Sequence, residues 1–363
     1  MSYKIKDIAE FMNNLAPNQI AYSWDNVGLL IGDQNQDVQK ILITLDLTPN
    51  IINLAIEKNI NLIITHHPFL FHPLKKINDP NILKLIKNSI AVYSAHTNLD
   101  QVKNGVNFAL AEKLNLSNLQ FLQKNNEQDF YQITVYTPES ALDNLKNAVF
   151  SAGAGYIGEY SMCSNHYPVK GNFLPSSNAN PNIGTPEQLE LVDEIKLEFL
   201  SDSVNLKQVI NALINAHPYE TPVYTITKLN QNSPNFGLGL IGSLENELTL
   251  SELAVFVKEK LLAPSVKLWP ANKSPHQKVK QIAVCGGSGS SVLSSAKNAD
   301  VLITGDLNYH TILDSKIPLI DAGHFYTEYP VLEKLKNLLT DFNLDIEIVS
   351  DQIHDINKLI YFS

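Results

Sequence analysis

Short apolar segments alternate with longer amphipathic segments over the first third of the chain. The short segments are rich in Ile, Leu and Val, which favour strands, whereas the longer ones repeat apolar residues at helical spacing. Strands that alternate with helices are typical of a parallel sheet with crossover helices. The predicted strands are 40–45, 61–65 and 90–94, and the predicted helices are 3–15, 50–58, 81–87 and 105–114.

The same alternation returns after residue 236. No residue-level repeat relates this part of the chain to the first, but its organisation is similar. The pattern therefore predicts two similar α/β halves that together form one domain. The predicted strands are 281–285, 300–304, 318–321 and 345–350, and the predicted helices are 290–297 and 328–342.

The middle of the chain has a different pattern, which lies between polar segments at 123–129 and 229–236. It contains two strand-helix-strand units, as expected for a small ferredoxin-like α+β sandwich. A stretch rich in Ser, Asn and Pro at 175–186 is predicted to be a loop. The predicted strands are 131–137, 160–165, 194–200 and 223–228, and the predicted helices are 139–152 and 205–216.

These patterns predict an α/β domain that is interrupted by an inserted domain. Residues 1–125 and 233–363 are expected to form the two halves of the α/β domain, and residues 126–232 the ferredoxin-like α+β insert. The length of 363 residues fits this organisation, because a domain typically takes about 150 residues.

The charge balance argues against a nucleic-acid-binding protein. The chain has 27 Lys and Arg against 37 Asp and Glu, for a net charge of −10. A protein that grips a phosphate backbone needs a basic surface. Small phosphorylated ligands stay possible, because bound metal ions can supply local positive charge.

The two cysteines, Cys163 and Cys285, are too few and too far apart for a disulfide framework. A reducing cytoplasm is therefore the expected location. The amphipathic pattern at 3–15 predicts a surface helix and not a secretory signal. No apolar run approaches the roughly 20 residues needed to cross a bilayer.

Four histidines follow predicted strands: His66 and His67, His96, and His324. In open α/β sheets, ligands bind beyond the carboxyl ends of the strands. Adjacent residues that leave a strand point to opposite sides, so His66 and His67 could each serve one of two neighbouring metal ions. The alternative is a pair of loop histidines without a function.

Two carboxylates, Asp100 and Glu328, could complete a metal site with these histidines. Each has an alternative role, Asp100 as a helix N-cap and Glu328 as a carboxylate in the first turn of a helix. His96 could be a ligand, a residue that orients a ligand, or a substrate contact, and a ligand role is the least expected. A mixed imidazole and carboxylate set suits zinc, iron, manganese, cobalt or nickel.

Two further segments have candidate roles. The glycine-rich segment 286–291 follows a predicted strand and could bind an anion through its amides, or form a tight turn that allows close packing. It lacks the Lys of a P-loop. Trp24 is expected to anchor its loop as a structural residue.

Several motifs occur in order along almost the whole chain: Trp24-Asp25-Asn26-Val27-Gly28-Leu29 with Gly32, Thr65-His66-His67-Pro68, His96-Thr97-Asn98-Leu99-Asp100, Gly286-Gly287-Ser288-Gly289-Ser290, Thr304-Gly305-Asp306, and Gly323-His324 with Glu328. Together they resemble the GTP cyclohydrolase 1 type 2 homolog family, also called the Nif-three-like family. Through 158–163, 171–173 and 216–220 the insert resembles the P-II/CutA-like domain of the longer members, whereas 165–168 departs from that pattern.

The resemblance implies a dinuclear metal centre and self-association. It implies that two divalent metal ions are bound by five residues, and that six copies form a ring with the metal sites facing an inner cavity. The five implied ligands are His66, His67, Asp100, His324 and Glu328.

Two functions follow as hypotheses. Two metal ions can activate water, so the first is a hydrolase that acts on a nucleotide; the family name implies GTP, with His96 or His310 moving protons. The alternative is a non-enzymatic ring protein that handles metal or senses a small ligand, without turnover. A ring that threads nucleic acid is disfavoured by the charge of −10.

Overall fold

The structure, a computed structural model, describes residues 2–72, 74–124, 129–158, 160–232 and 236–350. It is a mixed α/β protein with three sheets. The described residues up to Lys124 and from Phe236 onward form one compact unit, called here the discontinuous unit. Those from Asp129 to Asn232 form a second, the inserted unit.

The first sheet of the discontinuous unit has the order β1-β4-β3-β2-β15. All neighbours are parallel except β1 and β4. The strands are β1 Gly28–Ile31, β2 Lys40–Thr44, β3 Leu62–Thr65, β4 Ala91–Ser94 and β15 Asp345–Ile348. The helices before the insertion are α1 Ile5–Leu15, α2 Pro49–Glu57, α3 Pro80–Lys87, α4 Thr97–Asp100 and α5 Val106–Lys113.

The second sheet has the order β11-β14-β13-β12-β10-β5. Strands β12, β13 and β14 are parallel, and the outer pairs are antiparallel. The strands are β5 Ser117–Lys124, β10 Gly237–Thr249, β11 Lys267–Trp269, β12 Lys278–Ser288, β13 Val301–Gly305 and β14 Leu319–Asp321. The helices after the insertion are α8 Leu250–Leu261, α9 Tyr309–Asp314, α10 His324–Glu328 and α11 Pro330–Leu338.

Each sheet takes one strand from the opposite end of the sequence. Strand β15 pairs with β2 in the first sheet, and β5 pairs with β10 in the second. The strands at the centre are almost continuously apolar, and all four residues of β3 are buried. This composition is expected of parallel strands that are covered on both faces, and it fixes where their carboxyl ends lie.

Three sequence predictions need correction. Residues 290–297 form two short 3₁₀ turns, Ser290–Val292 and Ser295–Asn298, and not one helix. The helix predicted for 328–342 is divided, because Pro330 lacks an N–H and begins a new helix. The strand predicted for 160–165 begins only at Ser164 and continues through Pro168, which an edge strand tolerates.

The inserted unit has the element order β-α-β-β-α-β and an antiparallel sheet of order β7-β8-β6-β9. Two helices cover one face of the sheet around a shared apolar core. Polar segments at 123–129 and 229–236 were expected to limit this unit. Residues 125–128 and 233–235 lie outside the described residues, and residues 229–232 still belong to the last strand. The elements are β6 Asp129–Thr137, α6 Leu142–Ser151, β7 Ser164–Phe173, β8 Glu190–Asp202, α7 Leu206–Ala216 and β9 Tyr224–Asn232.

Within the described part of the chain, no helix has both the length and the apolar character needed to span a membrane.

Candidate metal centre

His66 and His67 follow the buried strand β3 directly. Their backbone N–H groups donate to Thr44 O and Leu45 O, at 3.1 and 2.9 Å, so the sheet holds both residues in place. The His66 side chain is fully buried, and that of His67 is 25% exposed. The centroids of the two imidazoles are 4.9 Å apart, so both face the same region beyond the strand.

Glu328 lies at the centre of the cluster, at the end of helix α10, with a side chain only 4% exposed. Its Oε1 is 3.0 Å from His324 Nε2 and 3.6 Å from His66 Nε2. Its Oε2 is 3.2 Å from His67 Nε2. The two oxygens of one carboxylate therefore face different imidazoles.

Asp100 closes the cluster from the end of helix α4. Its Oδ1 is 3.7 Å from His66 Nε2, the same atom that Glu328 approaches. The Asn107 side chain donates to the backbone carbonyl of Asp100 at 2.7 Å, which fixes this end of the helix.

Every histidine of the cluster has its Nδ1 next to an oxygen acceptor. A carbonyl or an ionised carboxylate can only accept, so Nδ1 carries the proton and Nε2 faces the cluster with a free lone pair in the neutral ring. Metal-binding histidines in proteins are held in the same way. The pairs are His66 with Ala95 O (2.9 Å), His67 with Asp46 (2.8 Å), His96 with Asp25 (2.9 Å) and His324 with Asp306 (2.7 Å).

Several buried polar atoms of the cluster have no hydrogen-bond partner among the described residues: His66 Nε2, Asp100 Oδ1 and Glu328 Oε2. Leaving such an atom unpaired costs about 1–3 kcal/mol. A cation would bind all three, since each is a lone-pair donor. The residues present therefore fit a metal ion.

Two overlapping groups of residues offer three ligand atoms within 4.8 Å of one another. The first is His66, His67 and His96, and the second is His67, His324 and Glu328. The cluster thus contains a His/Glu arrangement that could hold a metal ion.

The charges of the cluster compensate one another. Burial alone would raise the pKa of Glu328, but the positive charge of His66 and the hydrogen bond with His324 lower it well below its usual value. Burial raises the pKa of Asp100. The cluster therefore keeps one firmly ionised carboxylate at its centre.

The pKa values of two imidazoles shift in the opposite direction, upward. Burial favours neutral His67, but the hydrogen bond with Asp46 and the negative charge of Glu328 outweigh burial and raise its pKa to about 10. Burial also opposes the charge on His324, whereas Glu328 and then Asp306 raise its pKa to about 9. In the absence of a metal ion, protons on these rings supply the positive charge that Glu328 attracts.

The two predicted catalytic histidines lie in different surroundings. His96 belongs to the cluster, with its ring centroid 5.3 Å from that of His66 and 5.5 Å from that of His67. His310 is exposed on helix α9 beside Tyr309, and neither group of possible ligands includes it. A proton-transfer role stays a prediction for both.

The glycine-rich segment makes room for the cluster at the end of strand β12, which extends to Ser288. Gly287 has a φ of +63°, and a Cβ built there would lie 2.3 Å from Glu328 Oε1 and 3.1 Å from His324 Nε2. Its N–H donates to Thr327 Oγ1 at 3.0 Å, and the N–H of Gly286 donates to Asn107 Oδ1 at 2.9 Å. These two amides are thus bound within the protein, so the segment serves close packing rather than anion binding through them, although Gly286 and Gly287 lie in a strand and not in the expected tight turn.

Sequence reasoning gave no role to the three aspartates that orient the histidines. Asp46 directly follows a predicted strand and Asp306 lies two residues past another, so the rule that found the histidines would also have found them. Asp25 lies in a loop, and its partner His96 is distant in sequence. Burial would raise the pKa of Asp25, but hydrogen bonds from His96 and Thr97 lower it to about 2.

Trp24 is not the buried anchor that the sequence predicted, because it is 56% exposed. Its ring lies edge-on to His96, with centroids 6.1 Å apart. It also contacts Tyr22 and Phe71, at 5.7 and 5.8 Å between centroids. These side chains form an exposed aromatic surface next to the cluster.

The fold and the site together define a mixed α/β protein with a buried cluster of imidazoles and carboxylates that could hold a metal ion. The chain belongs to the Duf34/NIF3 (NGG1p interacting factor 3) family, because the sequence model of that family matches residues 3–355. The match confirms the family resemblance that the motifs predicted.

Similar proteins agree with this assignment over nearly the whole length. A Staphylococcus epidermidis protein named GTP cyclohydrolase 1 type 2 homolog is 40% identical over 345 residues, covering 93% of each chain. A Staphylococcus aureus protein of the same name is 38% identical over 360 residues, covering 95% of this chain and 96% of the relative. A crystal structure of a Bacillus cereus protein related to NIF3 has a TM-score of 0.84 at 33% identity, covering 99% of each chain.

Proposed function

We propose that the protein binds two divalent metal ions and hydrolyses a nucleotide. The observation that carries the proposal is the position of Glu328, whose two carboxylate oxygens face different histidines in a buried cluster. The name shared by the relatives, GTP cyclohydrolase 1 type 2 homolog, supports GTP as the first substrate to test.

Five residues would hold the two ions. They are His66, His67, Asp100, His324 and Glu328, and the central Glu328 would be the ligand shared between the ions. Imidazole nitrogens and carboxylate oxygens are ligands of zinc, iron, manganese, cobalt and nickel. When bound, two such ions supply Lewis acidity that makes water a nucleophile at neutral pH and stabilises negative charge at the attacked atom.

His96 is the residue best placed to move a proton. Its Nδ1 donates to Asp25, so Nε2 is the atom that can accept a proton from a nucleophile or return it to a leaving group. The buried Asp25 fixes the orientation of the ring and stabilises its protonated form. A role for His310 would require the substrate to extend as far as helix α9.

The exposed aromatic surface supports a substrate that contains an aromatic ring. Trp24 presents more than half of its side chain next to the cluster. Stacking on an aromatic side chain is worth about 1–3 kcal/mol per nucleobase. A base stacked on Trp24 would leave the rest of the nucleotide near the imidazoles.

Product analysis tests the proposed activity. Metal-loaded protein is incubated with GTP, and the products are separated by chromatography, beside a Glu328→Ala variant and a control variant, Glu333→Ala, in the exposed first turn of α11. We expect product from the wild type and the control but not from Glu328→Ala. No product from wild type that holds two ions would reject GTP hydrolysis.

A cavity in the inserted unit favours a second candidate function. The protein would then be a non-enzymatic metal-handling or ligand-sensing ring, which binds metal tightly without turnover.

We further propose that the inserted unit is of the ferredoxin-like class, which its β-α-β-β-α-β order supports. We also propose that each chain contains two similar α/β halves and that the protein is a cytoplasmic homohexamer.

A further inference from the structure

The inserted unit contains a cavity of about 520 Å³ that does not involve the metal centre. Residues alternate between the two faces of its sheet, and Val135 and Leu197 pack in the core beneath the helices. Tyr136 and Glu194 therefore lie on the opposite face, where they form part of the cavity wall. The volume falls within the range of about 300–1,000 Å³ that is usual for small-molecule sites.

The wall of the cavity is mainly apolar. The chain between β7 and β8 forms one side of it, and the N–H of Asn180 in this segment donates to Glu220 Oε2 at 3.2 Å. This bond ties the segment to the turn after helix α7. The apolar lining residues are Tyr136, Val169, Phe173, Pro175, Ile183 and Val223.

The carboxylate of Glu194 forms part of the cavity lining. Its Oε1 accepts a hydrogen bond from the Tyr219 hydroxyl at 2.9 Å. Its Oε2 lies against Gly171, where a Cβ would be only 2.4 Å from that oxygen. The absence of a side chain at Gly171 thus makes room for the carboxylate beside strand β7.

The charges of the lining favour a cation. Lys170 is the only Lys or Arg among the described residues that line the cavity, and its Nζ pairs with Asp193 at 2.7 Å. Glu194 and Glu220 add two negative charges to the same lining. An anionic ligand would meet these carboxylates, whereas a protonated amine would form a charge-assisted hydrogen bond with Glu194.

We propose that this cavity binds an organic amine, with the protonated amino group at Glu194 and an aromatic or branched apolar body against Phe173, Val169 and Val223. The site is separate from the proposed hydrolase function and needs no metal ion. Binding and hydrolysis can therefore fail independently.

Three indole compounds that differ in charge test the proposal on the full-length protein. Tryptamine carries an amine, tryptophol a neutral hydroxyl and indole-3-propionate a carboxylate, and calorimetry or ligand-observed NMR gives their affinities. We expect tryptamine to bind at least tenfold more tightly than tryptophol, about 1.4 kcal/mol, and indole-3-propionate to bind most weakly. Equal affinities, or no binding of tryptamine, would overturn the proposal.

Variants test whether Glu194 causes the preference for tryptamine over tryptophol. Glu194→Gln keeps an acceptor for Tyr219 but removes the charge, so tryptamine should lose its preference over tryptophol. Gly171→Ala should weaken tryptamine binding by displacing the carboxylate, which provides a second route should Glu194→Gln unfold. Asp143→Asn, at an exposed carboxylate in the first turn of helix α6, is the control and should bind as wild type. An unchanged preference in Glu194→Gln would refute the role of Glu194.

Discussion

At the scale of single residues, the metal centre depends on a repeated arrangement in which an acceptor fixes Nδ1 and the opposite nitrogen faces the cluster. The sequence indicated the ligand candidates, because histidines at strand ends are visible in a pattern. It did not indicate that Asp25 is the acceptor of His96, because only the fold brings these two residues together. Nor did it place Trp24, whose exposure depends on the surrounding surface.

Removing the acceptor of His67 should weaken metal binding without removing a ligand. In Asp46→Ala the imidazole loses the hydrogen bond that orients it, and such losses typically cost about 10–100-fold in metal affinity. Competition with a chromophoric chelator measures the affinity. Asp341→Ala, at an exposed carboxylate of the turn Thr340–Phe342, is the control, and equal affinities for both variants would contradict this role of Asp46.

A methyl group at Gly287 should lower metal affinity by displacing side chains of the cluster, in addition to straining the backbone. Gly287 and Gly158 have similar φ values of +63° and +58°, so alanine is strained at both, by about 1–2 kcal/mol. A Cβ at Gly287 would also meet Glu328, whereas at Gly158 it would meet nothing within 4 Å. We expect a lower metal affinity for Gly287→Ala only; the same affinity in both variants would show that Glu328 can move away without loss.

At the scale of elements, strongly apolar strands were predicted well and irregular ones were not. The predicted strand at 61–65 is confirmed as β3, and 300–304 as β13, because burial on both faces gives an unbroken apolar run. No strand was predicted for β10, where Gly237, Gly239 and Gly242 interrupt the pattern. The predicted helix 328–342 is divided before Pro330 and ends at Leu338. Helical spacing of apolar residues continues across this division, so the pattern did not indicate it.

Helix α8 provides a test of local structure away from the site. Thr249 and Glu252 form a capping box, in which each side chain accepts a hydrogen bond from the backbone N–H of the other residue. Thr249→Ala should reduce the free energy of unfolding by about 1 kcal/mol. Urea denaturation measures this change, with Ser251→Ala in the same turn as the control. A stability equal to that of the control would contradict the cap.

At the scale of the whole molecule, strand exchange between the two ends of the sequence brings the halves of the site together. Strand β15 completes the first sheet and β5 the second, so His66 and His67 meet His324 and Glu328 within one unit. A sequence pattern contains no information about which distant strands pair. The exchange of β5 and β15 could therefore not be predicted from the sequence pattern.

Self-association is the prediction that belongs to this scale. Light scattering coupled to size exclusion should give the mass of six copies of the 40.4 kDa chain. All the candidate ligands come from one chain, so treatment with a chelator should leave this mass unchanged. A monomer at micromolar concentration would contradict the ring, and dissociation on chelation would indicate ligands shared between copies.

The most direct test of the account is the number of metal ions bound per chain. Elemental analysis after equilibrium dialysis against zinc or manganese should give two ions for the wild type and for the exposed control Glu333→Gln. Glu328→Gln should hold less than one, because a neutral amide cannot bridge two cations as a carboxylate can. Two ions retained by Glu328→Gln, or no ion in the wild type, would contradict a metal centre built around Glu328.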